Sequence, residues 1–105
     1  MAAASDRMLK LAAMLDKSPN DAFLLYGLAM EHKKAGDAGA AIEYLDRTIA
    51  ADRGYCYAYY QKGLLLQNVG DIESARRVYR EGIAAAEAKG DAHGRSEIAA
   101  ALEMI

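Results

Sequence analysis

The chain has 105 residues, 53 % apolar and 27 % charged, the balance of one folded domain and not of a disordered segment. A formal charge of −2 shows none of the basic surplus that holds phosphates, so no nucleic-acid partner is expected. The single cysteine, Cys56, cannot close an internal disulfide, which suits a reducing, cytoplasmic setting.

The N-terminal stretch MAAASDRMLKLAAML is rich in small apolar residues, as a leader would be. Asp6, Arg7, Lys10 and Asp16 break it well short of the ~18 apolar residues of a membrane span, and no membrane association is expected. Met8, Leu11, Met14 and Leu15 fall three and four apart behind a capping Ser5, predicting an amphipathic helix over residues 5–18. Pro19, the sole proline, cannot continue it.

A second helix is predicted over residues 21–35. Gly36 ends it, because glycine tolerates the left-handed conformation of a helix C-cap. Asp37 starts a third at once, its carboxylate accepting from free backbone N–H groups. So short a joint makes the two helices antiparallel neighbours. The device returns at Gly70-Asp71, between helices predicted over 55–69 and 72–89. In the final segment, HGRSEIAAALEMI, Ile98, Leu102 and Ile105 share one face, as in a capping helix over 91–105. Gly90-Asp91 follows only 20 residues after the second pair and reads as a stop, not as the turn of a further unit. The fold class is all-α, with six helices.

The two joints lie 34 residues apart, and sliding 22–55 onto 56–89 matches without a gap. Tyr26 meets Tyr60, Ala41 meets Ala75, and Ile49-Ala50-Ala51 meets Ile83-Ala84-Ala85. Ala29 pairs with Gly63 and Leu45 with Tyr79. Small residues recur where two antiparallel helices must approach, and larger ones fill the space beside them.

This pattern resembles the tetratricopeptide repeat, a 34-residue helix–turn–helix that stacks into a superhelix. Its marks stand here as Leu25, Leu28-Ala29, His32, Ala41 and Leu45, then as Tyr59, Lys62-Gly63, Leu66, Ala75 and Tyr79. Pro19 sits where a preceding repeat would close, so residues 5–18 look like the second half of a degenerate unit. His32, Lys62, Arg53 and Glu87 depart from the pattern. The resemblance implies repeats over 22–55 and 56–89 in one domain spanning 1–105. Two repeats are fewer than a stable stack usually needs, so the flanking helices supply the missing neighbours.

No catalytic constellation emerges. His32 and His93 have no cysteine or carboxylate at metal-ligand spacing. His32 reads as a packing residue, His93 as an exposed one near a helix start, and Cys56 as a small half-buried hydrophobe. The glycines are helix stops and close contacts, not a phosphate cradle. No enzyme activity, cofactor or metal is expected.

The aromatic residues point to binding. Phe23, Tyr26 and Met30 lie three and four apart along one helix, and Tyr57, Tyr60 and Leu64 repeat that spacing in register. Each helix thus has an apolar face besides the one its own repeat buries. The resemblance implies that this face lines a concave groove for an extended or helical segment of another protein. Carried over by register, the groove set is Phe23, Tyr26, Met30, Lys33 and Lys34 with Tyr57, Tyr60, Gln61, Leu64, Gln67 and Asn68. Lys33 and Lys34 would favour acidic flanks, or be ordinary solvated charge. Relatives that clamp a C-terminal carboxylate carry Lys and Asn where Tyr26 and Met30 stand, so that clamp is not expected. Alternatively, part of the stripe packs on a neighbouring helix, or the stripe or an end of the stack joins two copies in a homodimer.

Overall fold

The computed structural model describes residues 4–105, so the first three residues of the N-terminal stretch lie outside the described residues. Among these the chain forms six helices: α1 Asp6–Lys17, α2 Ala22–Lys34, α3 Ala38–Ala51, α4 Cys56–Asn68, α5 Ile72–Lys89 and α6 Ala92–Glu103. The chain divides into two compact units, one ending at Asp52 and one starting at Arg53.

In the first unit α2 packs against both α1 and α3. Ser5 caps α1 by accepting from the Met8 N–H at 3.0 Å, and Asp21 caps α2 through the N–H groups of Phe23 and Leu24. Leu11 and Leu15 of α1 join Leu24, Leu25 and Leu28 of α2 in one apolar cluster, with Met8 and Tyr44 against its edge. The close approach of α1 is set by Gly27, where an added Cβ would meet the Leu11 side chain at 3.2 Å.

In the second unit α5 lies against α4 and α6, which also touch each other. Cys56, Ala75, Tyr79, Ala86 and Ile98 form its cluster, with Leu102 and Ile105 packed on the outside. Ile98 is thus the buried residue of the last helix. Leu66, expected in the core, is half-buried, because it sits near the end of α4 at the edge of this cluster.

The joints have the geometry that Gly-Asp implies. Gly36 and Gly70 adopt φ of 80° and 87°. The N–H of Asp37 donates to the His32 carbonyl and that of Gly36 to Lys33, while Asp71 and Gly70 do the same to Leu66 and Gln67. These are the paired bonds that satisfy the last carbonyls of a helix ended by a left-handed glycine. Each aspartate then accepts from the N–H three residues on, at Ala40 and Ser74. Gly90-Asp91 proves to be a third copy and not merely a stop. Its φ is 77°, its N–H groups reach Ala86 and Glu87, and Asp91 caps α6 at the Gly94 N–H, 2.9 Å away.

Candidate partner-binding faces

The aromatic stripe of α2 is graded in exposure. Phe23 is 67 % exposed, Tyr26 and Met30 are half-buried, and Leu24, Leu25, Leu28 and Ala29 between them are buried. The residues that the repeat pattern assigns to the core are therefore inside, and a second face remains partly open. Lys33 is half-buried and Lys34 exposed at the C-terminal end of the helix, where cations complement the helix dipole.

On α4, Tyr57 is 50 % exposed, Asn68 is exposed, and Tyr60, Gln61, Leu64 and Gln67 are half-buried. Two members of this set also serve the interior. Tyr60 packs against the cluster that holds Tyr79. The Gln67 carboxamide oxygen accepts from the Tyr79 hydroxyl, giving the polar tip of a ring with no exposed surface the partner it needs. Burial and the nearby Tyr60 raise the Tyr79 phenol above its ordinary range.

Glu31 belongs to this end of the first unit but to no motif. Only 7 % exposed, it accepts from the Ser5 hydroxyl at 2.9 Å, and Arg7 and Lys34 approach its other oxygen at 3.5 and 3.6 Å. It ties the start of α1 to α2 and gives Lys34 a structural neighbour. The signal for it was a carboxylate standing in register with Leu65 of the second repeat.

His32 stacks on Tyr44 with centroids 5.3 Å apart, and the Arg47 guanidinium lies 5.2 Å from the same ring, so this histidine is a packing residue. His93 is exposed and pairs with Glu97. Cys56 is buried rather than half-buried, its thiol donating to the Gly54 carbonyl. Burial first, and then Asp91, raises its pKa, which is the reverse of what a nucleophile requires. Asp91 is held below the usual carboxylate range, chiefly by the Gly94 N–H.

Among the described residues no group of three His, Cys, Asp or Glu side chains could hold a metal, and no helix is long and apolar enough to cross a membrane. Two open depressions exist, one of about 400 Å³ bordered by Asn20, Leu25 and Arg47, the other of about 370 Å³ beside Gly90 and Arg95. Neither gathers groups suited to chemistry.

The tetratricopeptide repeat family model matches residues 57–89. A TPR repeat-containing protein of Pseudomonas aeruginosa is 33 % identical over 95 residues, covering 90 % of each chain. The crystal structure of a tetratricopeptide repeat domain protein of Salinibacter ruber has a TM-score of 0.74 at 30 % identity, over 80 % of this chain and 93 % of that one. The solution structure of a Bordetella parapertussis protein reaches 0.80 at 27 % identity, over 95 % and 87 %. The chain belongs to the tetratricopeptide repeat proteins, a family of generally non-enzymatic protein–protein interaction modules.

Proposed function

We propose that the chain binds a peptide or helical segment of another protein through the aromatic faces of α2 and α4. Support comes from one observation above all. Phe23 and Tyr57, 34 residues apart in the repeat register, both leave half or more of their surface in solvent. Exposed aromatics at equivalent places bury large areas on binding at little loss of rotamer freedom, and Tyr keeps a polar tip for the partner's backbone. Tyr26, Met30 and Leu64 extend these faces, Tyr60 borders one of them, and Gln61, Gln67 and Asn68 offer amide groups to an extended chain. Lys33 and Lys34 favour acidic flanks on the bound segment.

Capture from native lysate with the wild type and with Phe23→Ala/Tyr57→Ala and Tyr26→Ala/Tyr60→Ala variants, followed by calorimetry on the recovered partner, tests this reading. Affinity should fall about tenfold or more in each variant, since anchoring aromatics often contribute over ~1.4 kcal/mol apiece. A partner bound equally well by all three proteins would remove the aromatic faces from the interaction.

A further inference from the structure

The second helices of the two repeats carry a charge pattern that neither the cores nor the aromatic faces use. On α3, Glu43, Asp46 and Arg47 stand three and four apart and are all exposed, opposite the buried Ala41, Leu45 and Thr48. On α5, Arg77, Arg80 and Glu81 occupy the same three register positions and are likewise exposed, opposite Ala75, Val78, Tyr79 and Gly82. Every charge is inverted between the two stripes. Each stripe ends one turn later on an exposed alanine, Ala50 or Ala84, small enough to let another helix come close.

We propose that the chain self-associates, with the α3 stripe of one copy docking on the α5 stripe of a second copy and the two helices running parallel. The direction follows from the order of charges. Aligned in parallel, acid meets base at all three positions. Aligned antiparallel, Glu43 would oppose Glu81 and Arg47 would oppose Arg77, leaving only Asp46 with Arg80 matched. The contact joins two different surfaces, so each copy can donate one stripe and receive at the other. Exposed ion pairs are individually weak and screened by salt, but several aligned pairs select orientation and reject mismatched partners. This surface is separate from the aromatic faces and does not depend on them.

Sedimentation of the full chain at ionic strengths of about 0.01 M and about 1 M tests the idea, because screening differs most between these limits. The wild type should exceed its 11.3 kDa monomer mass at low salt in a concentration-dependent way, and return to it at high salt. Glu43→Arg/Asp46→Arg should remain monomeric at low salt, as should Arg77→Glu/Arg80→Glu. An equimolar mixture of these two variants should associate again, because the reversed α3 of one complements the reversed α5 of the other. Should either variant lose its helical circular dichroism, Glu43→Gln/Asp46→Asn and Arg77→Gln/Arg80→Gln should each weaken association at least tenfold. Phe23→Ala/Tyr57→Ala should associate like the wild type. A wild type monomeric up to millimolar concentration at low salt overturns the proposal, and so does a mixture that stays monomeric. Dissociation by the aromatic variant, with the charge variants still associated, would place self-association on the aromatic faces instead.

Discussion

The two units fill the same helix–helix interface with bulk placed differently. In the first, the register positions hold Leu25 with Thr48 and Ala29 with Leu45, all buried. In the second they hold Tyr59 with Gly82 and Gly63 with Tyr79. A Cβ added to Gly63 would stand 2.1 Å from the Tyr79 ring, and one added to Gly82 would stand 2.7 Å from the Tyr59 Cβ. Where a ring enters, the residue facing it has given up its side chain. Low identity between the repeats therefore conceals a nearly conserved volume, as close-packed interiors require. Each ring also brings a hydroxyl that needs an acceptor: Tyr79 uses Gln67, and Tyr59 uses the Arg53 carbonyl at 2.9 Å. Thr48, in Gly82's place, turns its own hydroxyl onto the Tyr44 carbonyl one turn earlier.

The sharpest way to break this comparison is to empty one side. Tyr79→Ala should lower stability by about 4 kcal/mol and Leu45→Ala by about 3, read from denaturant midpoints, because the ring leaves the larger cavity. Equal losses would mean that the ring is not the filled centre of the second unit.

Gly63→Ala should cost about 3 kcal/mol through overpacking, and adding Tyr79→Leu to the same molecule should recover at least ~1 kcal/mol by restoring the first unit's pairing. Simple additivity in that cycle would refute volume exchange between the two positions.

The joints should respond alike in both units. Gly36→Ala and Gly70→Ala should each cost about 1–2 kcal/mol, since a Cβ is strained in the left-handed region, and Asp37→Ala and Asp71→Ala about 1 kcal/mol for the lost cap. Unchanged midpoints in one unit alone would show that its turn is held by packing and not by local chemistry.

Asp91 has a pKa depressed by the Gly94 N–H. Its contribution to stability is full above the ordinary carboxyl value and fades as pH falls through the lower folded value. Asp91→Asn should therefore flatten the acid limb of a stability–pH profile, and an unaltered limb would contradict the cap. The smallest effects belong to the faces: Phe23→Ala and Tyr57→Ala should each change stability by less than about 0.5 kcal/mol, as exposed positions do.

Much of this was legible in the residues because it is local. A Gly-Asp pair carries its own turn, so the Gly36 and Gly70 joints and the ends of α2, α3, α4 and α5 can be read to within a residue or so. Small residues at Ala29, Gly63, Ala41 and Ala75 announced close contact. What escaped depends on distant partners. Glu31 is buried because Ser5 and Arg7 reach it from another helix, and Tyr60 and Gln67 are drawn toward the interior by Tyr79. Arg76 holds the Ile105 carbonyl at 2.7 Å across 29 residues, which no periodicity signals. Gly90-Asp91 was underread for another reason: spacing was weighed above chemistry, although the dipeptide was the same.

The two-residue joint also bears on how fast the chain folds. Every bond that shapes the Gly36 turn lies between His32 and Ala40, so two helices are brought face to face with almost no loop to close. Closure entropy grows with the length of chain that must be ordered before a contact forms, and here that length is minimal at three of the connections. Proteins dominated by such short-range contacts cross their folding barrier in microseconds to milliseconds. A helical hairpin pinned by its own turn can thus form before distant parts of the chain have met, serving as a template on which the next helix condenses.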